Sequence, residues 1–350
     1  MAQIIARGFA VGTARLLIHQ SSGVGVRDYT ALAEKASRVV EDLTGLELDL
    51  PSFAIEGVDR RGWAEHNIDS YAALIERLTP PNRPGSAGMA ELNAVALGGL
   101  LGSFAGKVLG QYDPAFAISS PAIWMVDENI DHFAHRAQLD ADEVALWVLV
   151  HELTHRAQFH AVGWFRERLL ALMTQLFTAS TISPIDLLGE VFARLRGLSS
   201  SQSVDVTTLF LPERLRSVAR EATTIMTVAE GHAEWVMRQV SREIIPHRDE
   251  FERTIDERRQ TTGVAKIVAQ LTGIASKRSQ YSLGLHFFEA IAAEDGDAPR
   301  RVFASPNGLP TTNELTDPGR WVRRMSCNGN GVATHAASLA GRPSGKRGLR

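Results

Sequence analysis

The 350-residue sequence holds a single cysteine, Cys327, which excludes an internal disulfide and a cysteine-ligated metal cluster. A reducing compartment is compatible with that usage. Charge of one sign is also missing: 37 Lys and Arg stand against 40 Asp and Glu, a formal net charge of -3. With no excess of cations to neutralise a phosphate backbone, nucleic acid is excluded as the main partner. Long hydrophobic runs are absent as well. The longest, over 94–106, contains four glycines and a serine and stops at Lys107, short of the roughly 20 residues a membrane-spanning helix needs. Near the amino terminus, Arg7 and Arg15 interrupt the apolar residues before a signal-peptide core can form. These absences predict a soluble, cytoplasmic protein with no membrane partner.

What is present is helical periodicity. Apolar residues recur at three- and four-residue spacing over 29–47, 61–79, 88–110, 141–160, 163–178, 184–197, 212–244, 247–260 and 264–294, with Pro, Gly or Ser clusters between them. Two short segments, 52–58 and 122–126, follow prolines and have the β-branched or alternating look of strands that pair into a small sheet. The fold class expected is mainly α with a small accessory β-sheet, formed as one domain over 1–325. Beyond that, 326–350 is Gly-, Ser- and Asn-rich with basic residues and no acid, the composition of a disordered tail. Gly98, Gly99, Gly102, Gly106 and Gly110 recur at near-helical spacing, which suits close helix packing better than a phosphate loop, because no Gly-Lys-Ser/Thr follows.

One pentapeptide carries chemistry. His151-Glu152-Leu153-Thr154-His155 is an H-E-x-x-H pattern. With 11 His and 23 Glu in the chain, about 0.02 such matches arise by chance, whereas the pattern on a helix is a zinc-binding arrangement. Asp140 stands where a cap would start the helix, with Glu143 three residues on. Residues 144–150 are all apolar, so the helix is buried on nearly every side. Four residues advance an α-helix by about 400°, so His151 and His155 project from one face, a turn apart. Two imidazoles can then hold one Zn²⁺, and a catalytic zinc takes a third protein ligand and keeps the fourth position for water.

The candidate third ligand is Glu230, on a helical line with Met226, Ala233 and Met237. A carboxylate on an apolar face needs a partner. Metal coordination supplies one, a buried arginine pair would be the alternative, and Gly231 thins the helix where the two ligand-bearing helices must approach. Glu152, offset by about 100° from His151, is placed as general base toward a metal-activated water. Glu234 precedes Arg238 by four residues, the spacing of an exposed helical ion pair. His160 and His232 do not share the ligand face and read as surface or satisfied histidines, and His132 and His135 as solvent-facing. Tyr281, His286, His232 and Arg156 are the candidates for stabilising an oxyanion.

H-E-L-T-H followed by Glu230-Gly-His-Ala-Glu-Trp-Val-Met237 resembles a family of zinc-dependent metallopeptidases and hydrolases of unknown substrate, one branch of which is associated with biosynthesis of a deazaflavin coenzyme. Segments 58–63, 106–116, 280–284, 309–314 and 317–321 share the likeness, which runs from about residue 25 to 325. The resemblance implies a zincin-like helical fold, ligands His151, His155 and Glu230, the base Glu152, and a peptide or small amide substrate. Asp127-Glu-Asn stands where that family would have a more apolar strand end. A non-catalytic zinc scaffold or a metal-free partner-binding protein is the rival expectation, and the presence of Glu152, which a structural clamp does not need, favours the enzyme.

Overall fold

The computed structural model describes residues 5–18, 27–78, 89–113, 121–179, 213–245 and 280–327. The helices expected over 184–197 and 247–260, and the tail from 328 onward, lie outside the described residues. In chain order the elements are α1 (Arg7–Leu17), α2 (Thr30–Thr44), β1 (Ala54–Val58), α3 (Arg60–Leu78), α4 (Met89–Phe104), β2 (Gly110–Asp113) and β3 (Ala122–Val126). There follow α5 (Asp127–Ala137), α6 (Ala141–Arg156), a π turn (Ala157–Ala161), α7 (Gly163–Ala179), α8 (Glu213–Ile244), α9 (Gln280–Glu294), α10 (Ala298–Ala304) and α11 (Thr312–Thr316). The chain is mainly α with one small sheet.

The two segments read as strands do pair. β1 lies parallel to β3, with Ala54 opposite Ala122 and Val58 opposite Val126. A third strand was not anticipated: the helix expected to continue to residue 110 ends at Phe104, and β2 pairs antiparallel to β3, Tyr112 opposite Ile123. The strand order is β1-β3-β2, so β3 is central rather than an edge.

Alternation along β3 divides the interior. Ile123 and Met125 join a large apolar cluster built on α6, with α2, α8 and α9, while Trp124 and Val126 face a second cluster made by α1, α3 and α4. In that second layer Gly98 and Gly102 admit the backbone of α1 beside α4, since a β-carbon on either would overlap Ala10 or Ala14. The helix-packing reading holds for those two glycines. Gly110 belongs instead to the strand.

β3 stops at Val126 because the next three residues begin α5. The Asp127 carboxylate accepts the Arg27 amide at 3.2 Å and the Tyr29 hydroxyl, Glu128 meets Arg60 at 3.4 Å, and Asn129 donates to the carbonyls of Ala105 and Val108. The polar triplet therefore starts a helix and is not an altered strand end.

At the centre, Asp140 caps α6 by accepting the amides of Asp142 and Glu143 at 2.9 and 3.0 Å. Val144, Ala145, Leu149 and Leu153 of this helix are fully buried. Such enclosure fixes its rotation, and with it the direction of every side chain it carries.

Candidate metal centre

α6 presents His151 and His155 one turn apart, and α8 brings Glu230 to them. The Nε2 atoms of the two histidines are 3.1 Å apart. Glu230 Oε2 lies 3.7 Å from His151 Nε2, and Glu230 Oε1 lies 3.6 Å from His155 Nε2. A tetrahedral ion with bonds of about 2.05 Å has ligand atoms separated by about 3.3 Å, and with one atom taken from each residue the three donors lie within 4.8 Å of one another, near enough to surround one such ion. Among the described residues this is the one group of His, Cys, Asp and Glu with that convergence. Two neutral imidazoles and a carboxylate are a donor set suited to zinc.

The surroundings orient the donors. His151 Nδ1 lies 3.1 Å from the Met237 sulfur, and His155 Nδ1 lies 2.9 Å from Gln158 Oε1. Met237 and Glu230 sit on one line of α8, as the periodicity indicated, and that line faces α6. Gly231 also allows a close approach, but to a different helix than expected. Its position abuts Gly284 of α9, where a β-carbon on either glycine would overlap opposing backbone. The approach presses α9 against α8 and holds the Glu230 turn from behind.

Glu152 is buried beneath the sheet edge. Its Oε2 accepts the backbone N–H of Tyr112 at 2.7 Å, a bond available because Gly110 and Tyr112 alternate away from β3. Gly110 lets β2 sit this close, since a β-carbon there would overlap Val148 and reach 3.4 Å from Glu152 Cγ. Burial pushes the Glu152 carboxyl up to about 7, against the pull of His155 and the Tyr112 hydrogen bond.

Several other expectations change. Glu234 does pair with Arg238 at 3.0 Å, but its side chain is 4% exposed, so the pair is not the surface one expected. His232 is buried and bonded through Nδ1 to Gln158 at 3.0 Å. It is a satisfied core histidine, closed to a substrate oxyanion. Arg156 is also fully buried, donating to Ser52 at 2.8 Å and lying over the Phe53 ring at 4.5 Å, which removes it from the same list. His286, His132, His135 and His160 are exposed, while the Tyr281 side chain lies outside the described residues. Residues that the sequence reasoning missed are the Tyr112 amide, Met237 as a contact of His151, and Gln158. Gln158 stands three residues after His155, and that i, i+3 spacing was the available signal.

The chain is similar to a crystal structure from Chloroflexus aurantiacus described provisionally as a hydrolase with a novel fold: 28% identity over 92% of this chain and 99% of that one, with a TM-score of 0.69. No curated protein matches it. The sequence profile of the zincin-like metallopeptidases matches residues 2–322, and the chain belongs to that zincin-like metallopeptidase family.

Proposed function

We propose that this protein is a zinc-dependent hydrolase that cleaves peptide or small amide bonds, with His151, His155 and Glu230 as metal ligands and Glu152 as general base. The observation that carries the reading is the convergence of one donor atom each from His151, His155 and Glu230 within 4.8 Å, with a buried carboxylate one residue along the same helix. A zinc ion held there would act as a Lewis acid and bring the pKa of its water to about 7.

Glu152 takes the proton of the attacking water while the new C–O bond forms at the substrate carbonyl, then delivers it to the departing nitrogen as the C–N bond breaks. Products are a carboxylate and an amine. The Tyr112 amide holds Oε2 of the base in place, so its position does not depend on substrate. An extended peptide lies along the outer edge of β2, the strand beside α6, which has no further strand next to it among the described residues, by β-augmentation. It meets there the main-chain groups of Gly110 and the Tyr112 carbonyl, while the Tyr112 N–H is already committed to Glu152.

The test is incubation of the zinc-loaded protein with a diverse peptide mixture and a set of small amides, in parallel with Glu152→Gln and a chelator-treated sample. Cleavage lost in both controls supports the reading. Cleavage that survives Glu152→Gln, or none with any substrate while zinc stays bound, removes it, the second outcome favouring a zinc-clamped scaffold.

A further inference from the structure

The polar contacts around Gln158 form a chain with one possible direction. Gln158 is fully buried in the π turn that continues the histidine helix, the kind of irregularity that recurs at functional sites. Its Nε2 lies 2.9 Å from the carbonyl oxygen of Ala229. A backbone carbonyl only accepts, so the atom facing it is the amide nitrogen, and the side-chain oxygen is the atom facing His155 Nδ1. That oxygen only accepts as well. His155 must therefore carry its proton on Nδ1, which leaves the lone pair of Nε2 directed toward His151 and Glu230. The second hydrogen of Gln158 Nε2 points to His232 Nδ1 at 3.0 Å, so His232 accepts there and holds its own proton on Nε2.

The same side chain spans the two ligand-bearing helices. Ala229 contributes the carbonyl of the peptide unit whose nitrogen belongs to Glu230, so Gln158 grips the ring of one ligand and the backbone of another. His232, at the far end, is packed among the rings of Trp235, Phe288 and Phe303 at centroid distances of 5.9, 5.0 and 4.6 Å. A polar group buried among aromatics is costly unless bonded, and its bond anchors the Gln158 amide in one orientation.

We propose that Gln158 is the positioning residue of the metal centre: it fixes His155 in the Nδ1–H form that turns Nε2 to the ion, and it sets the separation of the helices carrying His155 and Glu230. The inference rests on the metal-binding part of the function proposed above and not on hydrolysis.

Two measurements test it. In histidine-¹⁵N-labelled wild type at pH 8 without metal, long-range ¹H–¹⁵N correlations should show His155 protonated on Nδ1 and His232 on Nε2. The opposite tautomer at either ring overturns the proposal. Zinc affinity is then measured by chelator competition for wild type, Gln158→Met and Gln158→Glu. Met removes every hydrogen bond at similar volume and should weaken binding about 10- to 100-fold, the usual effect of losing a group that orients a metal ligand. Glu restores an acceptor for His155 and should recover part of that loss, although it cannot donate to Ala229 and His232. A folded Met variant binding zinc within about twofold of wild type refutes the role, and if that variant does not fold, the wild-type tautomers decide alone. Wild type that binds zinc but hydrolyses nothing would remove the hydrolase reading and leave this one standing.

Discussion

The backbone amide of Tyr112 donates to Oε2 of Glu152 at 2.7 Å, joining the edge strand β2 to the helix that carries the histidines. The edge strand and Glu152 are thus one mechanical unit. The contact depends on Gly110, two residues before Tyr112, having no side chain.

Glu152→Gln should lower hydrolysis by about 10²- to 10⁴-fold, the usual contribution of a positioned general base. Gln keeps an acceptor for the Tyr112 amide but cannot take a proton. Zinc content by elemental analysis should match wild type, and loss of metal along with activity would argue against the assigned role.

Gly110→Ala places a methyl group against Val148, 3.3 Å from the Met125 sulfur and 3.4 Å from Glu152 Cγ. The strand must move off α6, at a cost of about 1–3 kcal/mol for overpacking. Turnover should fall at least 10-fold with zinc retained, because the displaced strand loosens the base and not the ligands. Paired kinetics and metal analysis will show whether the two effects separate.

Gly231→Ala and Gly284→Ala each drive a β-carbon into opposing backbone, which cannot swing aside as a flexible side chain would. Each should destabilise the protein by about 1–3 kcal/mol or more, read as a lower urea midpoint. Gly231→Ala should also weaken zinc binding, since Glu230 is its neighbour.

Without metal, two buried groups give stability opposite pH slopes. Burial holds His232 down at about 3 against its ordinary 6.5, so its contribution is present above pH 6.5 and is lost as pH falls toward 3. Glu152 is raised from 4.5 to about 7, so its contribution is present below pH 4.5 and is lost as pH rises through 7. Urea unfolding of the metal-free protein between pH 4 and 8 should therefore lose part of its acid limb in His232→Gln and part of its neutral limb in Glu152→Gln. Unchanged slopes in both variants would contradict the burial of these groups.

Zinc should raise the melting temperature of wild type, with about 2.7 kcal/mol of added stability when free zinc is 100 times the dissociation constant. Glu230→Ala should abolish most of that increment. A wild-type increment that persists undiminished in Glu230→Ala would place the third ligand elsewhere.

Much of the centre was legible in the chain because helical spacing is local information. His151 and His155 share a face whatever surrounds them, Asp140 caps the helix from two residues away, and the line through Glu230 and Met237 follows from the same periodicity. The strands 52–58 and 122–126 were legible through their composition. β2 was not, since Gly110–Asp113 is four residues long and follows a helical pattern that the turn after Phe104 interrupts. Glu234 was misplaced for a related reason: i, i+4 spacing identifies its partner, but burial depends on which helix packs outside the pair.

By itself, the sequence determined the helix, the two histidines on one face of it, and the acid beside them, since rotation per residue in an α-helix is set by backbone geometry. Only the tertiary structure decided that Glu230 is the carboxylate that reaches them, that Gly231 serves the contact with Gly284 and not with the histidine helix, and that Tyr112 and Gln158 hydrogen-bond Glu152 and His155. Apart from Gln158 and His155, three residues apart, those relationships join residues 40 to 79 positions apart through close backbone approach and buried polar contacts, and such contacts leave no period in the chain to be read.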